Sequence, residues 1–273
     1  MARNARIGLL GVGAMGEALA GGLLAAGTPK DALAAAEPDP ARRAAVAERL
    51  GIRVVADGAE VVRASDVVVL ALKPSVVAPA LDALAGLPAG VRRKPLWVSI
   101  AAGTPLRTLA AHLPEGARLV RAMPNTPALV RAGATAFVAN AAATAADRAA
   151  ARRLFEAVGY AWEAPHEAML DAVTGLSGSG PAYVFVLLEA LADAGVAAGL
   201  PRDAAYALGT HTVLGAAKLA LESGRHPGSL KDQVTSPGGT TIAGLERLEA
   251  SGFRAALHAA VAAATRRARE LGG

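Results

Sequence analysis

The stretch Gly11-Val12-Gly13-Ala14-Met15-Gly16 decides the fold, because of what stands on either side of it. Arg6 to Leu10 is a short apolar run that reads as a buried strand, and Glu17 to Ala26 has the composition of a helix that stops at Gly27-Thr28-Pro29. Between a strand and a helix, Gly11 permits a tight turn, Gly13 lets a pyrophosphate approach the backbone, and Gly16 lets helix and strand pack closely. Ala14 and Met15, between the second and third glycines, are expected to touch the cofactor with them, ahead of a helix start that can meet the anion. Three glycines alone are a weak signal, but an acidic residue, Glu37, follows the next strand, Leu33 to Ala36, at the spacing at which a dinucleotide's ribose is held. A carboxylate there bonds the ribose hydroxyls and repels a 2′-phosphate, which favours NADH. Arg42 and Arg43 follow closely enough to keep NADPH open, and Glu37 beside Pro38 also reads as an incidental loop acid.

Outward from this unit the alternation continues. A helix from Pro40 to Leu50 closes at Gly51, and strand Arg53 to Val55 precedes helix Gly58 to Ala64. Apolar strand Val67 to Leu72 ends at Lys73-Pro74, and further strands are expected at Leu96 to Ile100, Arg118 to Ala122 and Thr135 to Ala139. Fully apolar strands spaced by helices imply a mostly parallel sheet covered on both faces. Ala71, Leu72, Lys73 and Pro74 lie at a strand's carboxyl end, where such a sheet delivers residues to the cofactor crevice, although an isolated Lys73 also reads as a solvated strand end. In Arg121-Ala122-Met123-Pro124-Asn125-Thr126-Pro127 the two prolines fix a loop. Its Asn125 and Thr126 can offer hydrogen bonds to a nicotinamide or a substrate, and a rigid turn is the plain alternative. From His166 onward only helical runs are legible, broken at Gly175 to Pro181, Gly199 to Pro201, Gly224 to Pro227 and Ser236 to Thr241. The expected fold class is α/β: a Rossmann-type doubly wound parallel sheet over residues 1–165, followed by an all-helical domain over 166–273.

Composition narrows the function. With 53% hydrophobic and 3% aromatic residues among 273, the core is mainly Ala, Val and Leu, and small alanines along the C-terminal half suggest closely packed, intersubunit helices. The absence of Cys excludes disulfides, thiolate nucleophiles and Cys-based metal sites, and fits a reducing cytosol. A net charge of +5 raises the question of nucleic acid, yet the arginines are scattered and the aromatics too few for a stacking platform. Arg outnumbers Lys 23 to 5, a pattern of coding bias as much as function. Five histidines show no metal-type spacing, so no metal is expected. Arg3 and Arg6 before the run Ile7 to Ala26 superficially resemble a secretory signal, but Glu17 and the glycine spacing argue against one. No other segment reaches roughly 18 uninterrupted apolar residues. The expectation is a soluble, cytoplasmic protein with no membrane and no nucleic-acid partner. Gly175-Leu176-Ser177-Gly178-Ser179-Gly180-Pro181 does not fit GxSxG and is expected to end one helix and start another, with Ser179 or Gly180 at the cap and Pro181 in the first turn.

Near the other end, Thr235-Ser236-Pro237-Gly238-Gly239-Thr240-Thr241 places hydroxyls, a proline and two glycines directly before an apolar helical pattern. The glycines admit a ligand to the backbone and the helix start offers free N–H groups, which suits a small carboxylate. The competing reading is an ordinary helix entrance, with Thr240 or Thr241 spent on capping.

Taken together, these residues resemble the pyrroline-5-carboxylate reductases over nearly the whole chain. The resemblance runs through the early GxGxxG, the Ala71-Leu72-Lys73-Pro74 strand end, Met123 to Pro127 and Gly175 to Phe185. It is most specific at Asp232-Gln233-Val234-Thr235-Ser236-Pro237-Gly238-Gly239-Thr240-Thr241-Ile242. It implies hydride transfer from NADPH or NADH to 1-pyrroline-5-carboxylate, giving L-proline, and a helical domain that interlocks with a second copy into a dimer or larger assembly. It also implies that Val234, Ser236, Gly239 and Thr240 line the carboxylate site and that Thr241 is the catalytic hydroxyl beside the imine nitrogen. Gly16, where many members have alanine, is a departure that makes the N-terminus also look like that of the β-hydroxyacid dehydrogenases, and Glu37 stands where members vary, which keeps both NADH and NADPH open. Such a dehydrogenase would want a lysine soon after the glycine-rich stretch, and none follows Gly180 until Lys218. A non-catalytic nucleotide-binding protein on the same fold is the third reading.

Overall fold

The computed structural model describes residues 5–272. Its chain folds as two compact units: residues up to Gly178 together with the end of the last helix from Ala264, and Ser179–Ala263.

In the first unit, eight strands form one sheet: β1 (Ile7–Leu10), β2 (Leu33–Ala36), β3 (Arg53–Val55), β4 (Val67–Leu70), β5 (Leu96–Ser99), β6 (Arg118–Met123), β7 (Gly133–Ala139) and β8 (Gly159–Glu163). Their order is β3-β2-β1-β4-β5-β6-β7-β8. Strand alternation explains why the runs are apolar throughout. Leu9, Val67, Val69, Leu96 and Val98 point to one face, where Leu19, Leu23, Val46, Leu154 and Phe155 cover them. Leu10, Val68, Leu70 and Trp97 point to the other, under Val61, Val62, Val77, Leu81 and Leu109. All neighbours pair in parallel except β6 and β7, which pair antiparallel with Val120 opposite Ala139. The short link between them, residues 124–132, holds only a 3₁₀ turn at Thr126–Val130, and a parallel pairing needs a longer crossover.

β8 was not legible in the sequence. Its Tyr160 and Trp162 face outward on the sheet's edge, so no apolar run marks it. The first helix, expected from Glu17, starts at Ala14, inside the glycine motif.

The second unit is helical: Gly180–Ala197, Arg202–Ser223, Pro227–Gln233, Thr240–Ala250 and the first part of Phe253–Gly272. Ser179 is the N-cap of the first and Pro181 lies in its opening turn, as the sequence implied. Helices 180–197 and 202–223 cross where side chains are small, and a Cβ at Gly195 would lie 2.9 Å from that of Ala205. Ala192 and Ala205 are the only buried residues among the described residues of this unit. The span Met169–Ala197 is long and apolar enough by composition to cross a membrane, and it carries Asp171, Glu189 and Asp193.

Candidate active site

In the first unit the sheet order reverses at β1 and β4, and the residues at their carboxyl ends come together there. Gly11 turns with φ +89, and a Cβ on it would lie 2.7 Å from the Ala71 carbonyl oxygen and 2.8 Å from Leu72 Cδ2. Gly16 is equally constrained: a Cβ there would lie 2.6 Å from the Gly11 carbonyl oxygen and 3.0 Å from Ala71 Cβ. Gly13 is the open one. The nearest group to a Cβ built on it is the Arg42 guanidinium at 4.0 Å, so the space above the backbone is available to a ligand. Gly13 is also the N-cap of helix 14–25, and no side chain caps that helix. Its first N–H groups are therefore unspent, beside an open glycine and near a cation, which is the donor set that a pyrophosphate requires.

Glu37, 8% exposed, leans into this loop. Its Oε2 accepts the Val12 N–H at 3.5 Å, and its Oε1 accepts the Asp39 N–H at 3.2 Å. Arg43 is engaged by the backbone: its Nη1 donates to the carbonyl oxygens of Glu37 at 2.9 Å and Pro38 at 3.2 Å. Of the two arginines that blurred the cofactor preference, Arg42 is thus the one placed beside the phosphate loop. Ala71 and Leu72 pack against the glycine motif, whereas Lys73 is exposed as the N-cap of helix Pro74–Asp82 and Pro74 opens that helix.

Asn125 is held by the protein itself. It is 9% exposed, and both ends of its amide are engaged by the protein: Nδ2 donates to the Ser177 carbonyl at 3.0 Å and Oδ1 accepts the Ala134 N–H at 2.8 Å. A second tie, between Arg121 and Glu167, had no sequence signal of its own. The Glu167 Oε1 accepts from Arg121 Nη1 at 2.8 Å and from the Leu106 N–H at 2.7 Å, fastening the helix that starts beyond β5.

In the second unit, Ser236 to Thr241 form a turn closed by the Gly239 N–H donating to the Ser236 carbonyl at 3.0 Å. Gly238 has φ +69, and a Cβ on Gly239 would collide with the Ser236 hydroxyl. Gly239 is the N-cap of helix 240–250, with no side-chain cap. The capping alternative for Thr240 and Thr241 is therefore not what the structure adopts: both are exposed, as are Val234 and Ser236, while the Thr235 hydroxyl is spent on the Lys231 carbonyl at 2.7 Å. Exposed hydroxyls around an uncapped helix start suit a carboxylate.

Residues 6–103 match the model of the coenzyme F420-dependent NADP oxidoreductase domain, and residues 167–271 match that of pyrroline-5-carboxylate reductase dimerisation. A pyrroline-5-carboxylate reductase of Pisum sativum is 48% identical over 269 residues, covering 97% of this chain and 95% of the pea protein. Among solved structures, a pyrroline-5-carboxylate reductase from Coxiella burnetii superposes with a TM-score of 0.93 at 34% identity, covering 99% of each chain. A pyrroline carboxylate reductase from Plasmodium falciparum, solved with NADP bound, superposes with 0.86 at 30% identity, again covering 99% of each. Identity of this extent over both units shows that the chain belongs to the pyrroline-5-carboxylate reductase family.

Proposed function

We propose that the chain reduces 1-pyrroline-5-carboxylate to L-proline at the expense of NADH or NADPH. The observation that carries this reading is the turn 236–241, with its uncapped helix start and exposed Ser236, Thr240 and Thr241. The first unit offers a matching cradle for the dinucleotide: the uncapped helix behind Gly13 for the pyrophosphate and Glu37 for the adenosine ribose. When bound, a reduced nicotinamide supplies the hydride.

A protonated cyclic imine is already a strong electrophile, so the chain's own residues mainly orient and stabilise. Ser236, Gly239 and Thr240, with Val234 beside them, hold the carboxylate. The Thr241 hydroxyl, not used for capping, bonds the nitrogen of the protonated imine and, once hydride has made it a neutral amine, relays a proton to it from solvent. The family resemblance further assigns completion of the site to a second copy of the chain, and a cytoplasmic location fits a cysteine-free biosynthetic enzyme.

The buried Glu37 carboxylate also favours NADH. The ratio of kcat/KM for NADH to that for NADPH should exceed one and should fall in E37Q, whereas R42A should weaken both cofactors alike. A clear preference of the unaltered enzyme for NADPH contradicts this. The site assignment is tested by T241A, which should lose roughly tenfold to a hundredfold in kcat/KM, equivalent to about 1–3 kcal/mol, with an unchanged melting point. Unchanged efficiency with a lower melting point would make Thr241 a structural residue.

A further inference from the structure

We propose that Asn125 is a positioning residue for this reaction, one that ties the turn before the helical unit to the cofactor edge of the sheet, and is not itself a dinucleotide contact. The proposal rests on the reductase reading above. Residues Thr174–Gly178 form a π-helical turn, and Gly178 closes the long N-terminal segment of the first unit. Such turns lack the regular helical ladder and occur often at functional sites. Here the turn is braced locally by the Thr174 hydroxyl on the Leu170 carbonyl at 2.7 Å and by the Ser177 hydroxyl on the Val173 carbonyl at 3.2 Å.

Two side chains from beyond this segment also grip it, and both come from the carboxyl end of β6. Asn125 Nδ2 holds the Ser177 carbonyl at 3.0 Å, and the Met123 methyl lies so close to Gly178 that a Cβ there would be 2.7 Å from it. With its Oδ1 on the Ala134 N–H at 2.8 Å, Asn125 joins the end of β6, the start of β7 and the π turn through one buried amide. β6 runs parallel to β5, β4 and β1, so its carboxyl end lies on the edge where the glycine loop opens. Hydride transfer is sensitive to displacements of about 1 Å, and loosening the turn at this edge therefore slows chemistry more than binding.

N125D tests this, because it keeps the side-chain volume and the acceptor for Ala134 but sets a carboxylate oxygen against the Ser177 carbonyl. G178A, which disturbs the same turn without touching Asn125, serves as the second variant should N125D fold poorly. For each, kcat, the NADH dissociation constant by fluorescence titration, the kinetic isotope effect with NADH deuterated at the transferred position, and hydrogen exchange over 174–178 are measured in the full-length enzyme. The expected result is a fall in kcat of at least about tenfold, an NADH dissociation constant within about twofold of the unaltered value, a larger isotope effect, and faster exchange across 174–178. A parallel rise in the dissociation constant would make Asn125 a direct cofactor contact and overturn the proposal. Normal kcat and isotope effect with only a lowered melting point would reduce it to a passive brace, and unchanged exchange over 174–178 would refute the tie itself. An unaltered enzyme inert toward the imine acid would instead overturn the reductase reading, which the exchange measurement does not depend on.

Discussion

At the scale of single residues, the chain shows which positions tolerate no choice. Gly11 is the sharpest case, since G11A would need both a left-handed backbone and room already filled by the Ala71 carbonyl. Its variant should lose cofactor binding and about 1–3 kcal/mol of stability, read by NADH titration and denaturant unfolding; normal cofactor affinity in G11A would contradict the account of the loop. Arg131 is the converse. It is the one non-glycine residue with positive φ among the described residues, at 59°, and it closes the 3₁₀ turn after Asn125. R131G should stabilise the protein by about 0.5–1 kcal/mol, and a loss of stability would show that the Arg131 side chain makes a compensating contact. Glycines were legible in the sequence because their consequence is local. The engagement of Asn125 was not, since its partners Ser177 and Ala134 are brought to it only by the antiparallel return of β7 and the π turn. Glu167 was invisible for the same reason: nothing near it in sequence announces Arg121 or Leu106.

At the scale of elements, strands buried on both faces were readable as continuous apolar runs, while β8 escaped because an edge strand is half exposed. Few of the α-helices carry a side-chain cap, and composition and glycine or proline stops marked them more than caps did. The helix Ala145–Glu156 is the best defined: the Thr144 hydroxyl accepts the Asp147 N–H, and the Asp147 carboxylate accepts the Thr144 N–H at 2.9 Å. Burial alone would raise the Asp147 pKa, but the Thr144 hydrogen bonds and the Arg118 guanidinium at 2.6 Å outweigh it and hold the carboxyl below its ordinary value. A lowered folded-state pKa gives stability that is present above the unfolded value of about 3.9 and is lost as pH falls through the folded value. D147N should therefore be less stable near neutral pH and show a shallower acid limb below about pH 4, measured by urea unfolding across pH. An unchanged acid limb would mean that other carboxylates govern it. T144A should lose about 1 kcal/mol by the same measurement.

At the scale of the whole molecule, the two units differ in how they are finished. The sheet unit buries its apolar residues in two layers, whereas the helical unit leaves Phe185, Val186, Tyr206, Leu214 and Leu221 exposed. Exposed large apolar side chains on a unit matched by a dimerisation model call for a second copy, and the chain should sediment as a dimer or larger at micromolar concentration. F185E should shift it toward monomer and lower its activity together, and a monomeric, fully active variant would separate the two. The sequence could mark this unit as helical and alanine-rich, but which faces stay uncovered depends on how the helices cross. The central claim is imine reduction, and its most direct measurement uses the purified full-length protein, 1-pyrroline-5-carboxylate and NADH or NADPH, following nucleotide oxidation and proline together. The account predicts that one proline forms for each nucleotide oxidised and that 3-hydroxy acids with the oxidised nucleotide give no reaction. A protein that binds the reduced nucleotide yet leaves it unoxidised in the presence of the imine acid would contradict it.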